Sequence, residues 1–191
     1  MGQLGEPSLP DAGQLEGRSG RIPALTFPMA EQIPLEQFEM LVPLAAAWAA
    51  QQQERILQEG VPLSMRETAD ALRVGVQDPE RVRLLQVDII PSPTHPALQA
   101  AYQKINFVPS APRGLTIQYG VFVRSDYWRD RALIVHELVH TAQYERMGGI
   151  QPFLRQYLVE CATVGYHRSP MEDEAVTTAA RVLKSDQLVR A

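Results

Sequence analysis

Apolar residues recur near helical spacing across positions 34–58, at Leu35, Phe38, Met40, Leu41, Leu44, Trp48 and later Ile56 and Leu57. Pro43 either kinks this helix or opens a second one at its first turn, and Gly60 and Pro62 end it. Ser64 and Glu67 then stand at the S-x-x-E spacing of a capping box, which predicts a short helix from Met65 to about Val74.

The pattern changes at positions 82–90, which are dense in Val, Leu and Ile and are stopped by Pro91 and Pro93, as a buried strand would be. A helix over 96–106 follows, and Pro109, Pro112 and Gly114 mark a loop. Positions 115–123 read as a second strand, with Gly120 marking a bulge or a close backbone approach. Ser125 or Asp126 caps the next helix, which runs to about Met147 and stops at Gly148 and Gly149. Two further helices fit 152–165 and 170–184. Residues 1 to about 28 are rich in Gly, Pro, Gln and Ser without an apolar period, so a flexible tail is expected ahead of one domain over 29–191. The class that fits is α+β: mainly helical, with a small sheet.

The composition narrows the function classes. With 191 residues, 45% hydrophobic and 21% charged, the chain has the make-up of a globular protein with one sizeable core. A net charge of −4 gives no reason to expect nucleic acid or an anionic membrane as a partner. The longest apolar run, 41–50, is broken by Pro43 and falls well short of the roughly 20 residues that cross a bilayer. The opening MGQLGEPSLPDAGQLEG has neither a cationic start nor an apolar core, so a cytoplasmic location is the expectation. The single cysteine, Cys161, excludes an intramolecular disulfide and reads as a small buried apolar residue.

The chemistry is concentrated in RALIVHELVHTAQYERMGG. Residues four apart on a helix share a face, so His136 and His140 can offer two imidazole nitrogens to one ion. Glu137 lies beside that face, where its carboxylate can serve a water as general base rather than bind the metal. Leu133, Ile134, Val135, Leu138 and Val139 make this a buried helix, on which unpaired His and Glu would be costly. A catalytic zinc needs a third protein ligand and an open position. The candidates are Glu160 and the group Glu172, Asp173 and Glu174. Tyr166 and His167, between them, are candidate hydrogen-bond donors to an oxyanion; His95 reads as a loop residue, and Trp48, Trp128 and Tyr144 as packing.

Taken together, HELVHTAQYERMGG, FLRQYLVE and GYHRSPMEDEA resemble small bacterial zincin-like domains of the glutamate-ligand (gluzincin) type. The similarity runs over about 114–180 and includes the strand LTIQYGVFV. It implies an HELxHxxQ helix, a helical hairpin and an acidic P-x-E-x-E-A segment that supplies the third ligand, which falls on Glu172. Related domains often read E-x-x-x-D, whereas Val176 stands four after Glu172 here, so the acid that would orient a ligand is missing or replaced. Glu160 remains the rival, at a spacing like that of thermolysin-like enzymes. The function implied is a zinc-dependent metallopeptidase acting on a peptide or protein substrate. The alternatives are a non-catalytic zinc-binding module, and a metal-free interaction domain that docks through its first helices.

Overall fold

The computed structural model describes residues 35–104 and 112–189. The expected tail over residues 1 to about 28, the loop signal at Pro109 and the last positions of the helix expected to end near Asn106 lie outside the described residues. The elements, in order, are α1 (Leu35–Glu59), β1 (Val61–Pro62), α2 (Met65–Val74), β2 (Arg83–Val87), α3 (Pro96–Lys104), β3 (Gly114–Ile117), β4 (Gly120–Arg124), α4 (Arg131–Met147), α5 (Ile150–Val164) and α6 (Pro170–Val189). This is the expected α+β class, mainly helical with a four-stranded sheet.

The strands lie in the order β1-β2-β4-β3; β2 and β4 are parallel and the outer pairs antiparallel. Period-2 alternation sorts their side chains between two helical layers. Leu84, Val121 and Val123 join a core with Ala71 of α2, Val135 and Leu138 of α4, and Ala175 of α6. Phe122 and Ile117 point the other way, against Ala49 and Ile56 of α1. With both faces covered, β4 is buried from Gly120 to Val123, as its uninterrupted apolar run requires. Gly120 meets the close approach expected of it: a Cβ there would lie 2.8 Å from an Ile56 side-chain carbon.

Several boundaries differ from the sequence reading, and the strand expected over 82–90 is the shorter β2, which ends at Val87, before the prolines. Pro43 sits inside α1, which continues to Glu59, so no second helix begins there. The strand expected over 115–123 is a hairpin, β3 and β4 joined through Gln118 and Tyr119, with Ile117 opposite Gly120. Gln118 adopts a φ of 53°, the conformation a two-residue turn of this kind normally assigns to glycine. Neither Ser125 nor Asp126 caps α4. Both belong to a 3₁₀ turn, Ser125–Tyr127, and Asp130 is the cap, accepting from the Leu133 N–H at 2.8 Å.

Candidate metal centre

The helix that carries the HELVH stretch is fixed at both ends. At its start, Arg131 makes two 2.8 Å hydrogen bonds to the buried Asp70 carboxylate of α2, and Arg129 pairs with Glu67. The Ser64–Glu67 capping box that places those acids on α2 forms as its spacing predicts. At its end, Gly148 takes a left-handed conformation (φ 88°) and closes the helix. Ile134, Val135, Leu138, Val139 and Ala142 turn towards the sheet and α6. His136, Glu137, His140 and Tyr144 occupy the remaining face and line a cavity of about 840 Å³.

Three side chains converge there. The Nε2 atoms of His136 and His140 are 3.2 Å apart. The Glu172 carboxylate straddles them, with Oε2 3.5 Å from His136 Nε2 and Oε1 3.4 Å from His140 Nε2. Among the described residues these three form the group of His, Cys, Asp or Glu whose ligand atoms all lie within 4.8 Å of one another. Burial opposes ionisation of Glu172, but hydrogen bonds from His136, His140 and Tyr157 outweigh it and hold the carboxyl well below its usual range. Burial likewise disfavours a charged His140, and the hydrogen bond and charge of Glu172 overcome it, raising the imidazole pKa.

Glu137 stands beside this group, not within it. Its Oε2 accepts a 2.6 Å hydrogen bond from the Thr116 hydroxyl of β3, and its Oε1 lies against Gly114, where an added Cβ would come within 2.5 Å. A side chain at 114 could be accommodated only if the Glu137 carboxylate moved from this position.

The orientation of His140 follows from its neighbours. Gln143 Nε2 donates to the Met171 carbonyl at 2.9 Å and to Glu174 Oε2 at 3.0 Å, so Oε1 is the end that faces His140. His140 Nδ1 lies 2.8 Å from that oxygen and must donate to it, which makes Nε2 the nitrogen facing His136 and Glu172, whose lone pair is offered once the proton it shares with Glu172 is gone. Glu174 is steadied in turn by Arg146. Val176 is 57% exposed, and the contact that reaches the far side of His140 is instead the Gln143–Glu174 relay.

Glu160 takes no part in the cluster. Its Oε2 accepts from the Ser169 hydroxyl at 2.7 Å and from the Met171 N–H at 3.0 Å, so it serves the start of α6. Asp173 is exposed. His95 is exposed as well, its Nδ1 accepting from the Ala97 N–H. Tyr144 is packing: it stacks on Phe153, and its hydroxyl donates to the Thr116 carbonyl. Tyr166 hydrogen-bonds Glu172, and burial pushes its hydroxyl pKa far up. The side chain of His167 lies outside the described residues.

Tyr157 is a site residue that the motifs do not single out. Its hydroxyl donates to Glu172 Oε1, and its ring stacks on Phe153. The available signal is its place on the Phe153–Tyr157–Cys161 stripe of α5, because a tyrosine on an apolar face must find a partner for its hydroxyl. Cys161 is buried and free, with its thiol pushed up to about 12 by burial and by the nearby Glu172 and Glu160 charges.

No helix among the described residues is long and apolar enough to cross a membrane. No family model, curated protein or solved structure matches this chain.

Proposed function

We propose that the chain is a zinc-dependent metallopeptidase, with His136, His140 and Glu172 as the metal ligands and Glu137 as the general base. The observation that carries this reading is the convergence of the two Nε2 atoms, 3.2 Å apart, on the two oxygens of the Glu172 carboxylate at 3.4 and 3.5 Å, with one donor atom from each residue within 4.8 Å of the others. Donors about 2.0–2.1 Å from a tetrahedral zinc lie about 3.3–3.4 Å from one another. The donor set, two imidazoles and one carboxylate, leaves room for a fourth position on the cavity side.

Zinc bound there supplies a Lewis acid that polarises a carbonyl and eases deprotonation of a water. Glu137 takes the proton from the attacking water on its carboxylate and passes it to the leaving amine. Thr116 and Gly114 fix where that carboxylate stands. Tyr166, kept protonated by burial, donates to Glu172, and would serve the oxyanion that forms as the carbonyl is attacked only by turning its hydroxyl from that carboxylate. β3 is the end strand of the sheet order and lies beside α4, so its outer edge can pair with an extended peptide.

The test compares the parent protein, Glu137→Gln and a chelated control on a mixed peptide library, with zinc content measured for each. The expected outcome is about one zinc per chain in parent and variant, and cleavage lowered about 10²-fold or more by the substitution. Cleavage unchanged in Glu137→Gln would refute the mechanism. Zinc retained without any cleavage by the parent would instead support a non-catalytic zinc module.

A further inference from the structure

We infer that the segment bound beside the metal cluster carries bulky apolar side chains, which lodge between α1, α3 and α5. The inference rests on the metallopeptidase reading for what happens to that segment, and on the cavity alone for which segment is bound. The wall that includes His136, Glu137, His140 and Glu172 also includes Phe38, Leu41 and Trp48 of α1, Leu98 of α3, and Phe153 and Leu158 of α5. At about 840 Å³ the cavity is near the upper end of the roughly 300–1,000 Å³ that enclose a drug-sized ligand, and exceeds what one side chain fills.

The chemistry of this wall is one-sided. Every residue that α1, α3 and α5 contribute to it is apolar except Tyr157, and the Tyr157 hydroxyl donates to Glu172. Outside the metal cluster and Glu137 the charged lining consists of Asp88, Arg113 and Arg124. Of these, Asp88 accepts from Ser125, Arg124 pairs with Asp126, and Arg113 lies over the Tyr127 ring, and none of the three stands on α1, α3 or α5. A charged or amide side chain entering between α1 and α5 would shed its water and find no partner there. A Leu or Phe side chain would gain the transfer energy of its apolar area. The cavity therefore selects substrate by apolar bulk, while the edge of β3 and the metal cluster engage only backbone groups that every peptide has.

The experiment measures binding separately from cleavage. Two fluorescein-labelled octapeptides, identical except for a central Leu-Phe or Ser-Asn pair, are titrated by anisotropy into full-length Glu137→Gln protein. The Leu-Phe peptide should bind at least about tenfold tighter, the lower end for burying one large apolar side chain. Equal affinities would overturn the inference. Ala162→Trp on α5 and Ala45→Phe on α1, each checked by circular dichroism, fill the cavity from opposite walls. Either folded variant should reduce the preference to less than about threefold, and a preference intact in both would overturn the proposed location. A parent protein that cleaves the library without favouring apolar residues would sink this inference and leave the hydrolase standing. An apolar preference in binding without cleavage would do the reverse.

Discussion

Two acids are buried against α4, Asp70 at its first residue and Glu172 beside its histidines, and their surroundings give them opposite meanings. Asp70, 1% exposed, meets Arg131 through two hydrogen bonds and lies 3.6 Å from Arg73. Its charge is met by permanent cations, so nothing further is needed there. Glu172, 6% exposed, meets two imidazoles and the hydroxyls of Tyr157 and Tyr166, none of them a permanent cation. A buried carboxylate with only titratable partners is balanced by a shared proton or by a metal, and zinc and that proton compete for the same lone pairs. The first acid holds the fold; the second is where ligand chemistry is to be sought.

Exchanging the two acids one at a time separates these roles. Glu172→Gln should lower zinc affinity by about 10²-fold or more, read by chelator competition, since it removes one of three protein donors. Asp70→Asn should leave zinc affinity within about threefold and lower the unfolding free energy by about 3 kcal/mol in urea. That figure is the lower end for breaking a buried pair, because the Arg131 side chain keeps 21% exposure. Equal effects of the two on zinc would erase the distinction.

Gln143→Ala sharpens the comparison within the metal side. It frees His140 Nδ1 and so should weaken zinc binding by about 10- to 100-fold without removing a ligand. An unchanged affinity would show that the relay through Glu174 does not orient the imidazole. The smallest effect belongs to Glu160→Gln, which trades a carboxylate cap on α6 for an amide. About 1 kcal/mol of stability should be lost, with zinc affinity within about threefold. A zinc loss larger than that of Glu172→Gln would return the ligand role to Glu160.

Local signals in the sequence carried the helices and two of the three converging side chains. The capping box at Ser64 and Glu67, the stop at Gly148 and the four-residue spacing of His136 and His140 depend on neighbours a turn away, and all are found where the spacing puts them. The β3–β4 hairpin was hidden because its turn places Gln118, not a glycine, at positive φ, so no turn signature interrupts the apolar run. The cap of α4 was misplaced because the Ser125–Tyr127 turn intervenes and Arg129, at φ 62°, breaks the chain direction just before Asp130. The division of labour between Glu160 and Glu172 depends on how α5 meets α6. Spacing along the chain left both acids open, and the motif resemblance alone favoured Glu172. The contact that orients His140 comes from Gln143 on the HELVH helix itself, and it is set by the approach of Glu174 on α6, which spacing along α4 does not reveal.

The converging groups come from two helices that are far apart in the chain, with His136 and His140 on α4 and Glu172 on α6, and α5 between them. During synthesis the HELVH helix therefore emerges well before its third partner. Until α6 docks through Ser169 and Glu160, the two histidines lack the carboxylate that completes the set. On the proposed reading, the two histidines of α4 alone do not make the centre; α6 completes it, and an ion held by all three side chains would close the α4–α6 loop and tie that helix to α4.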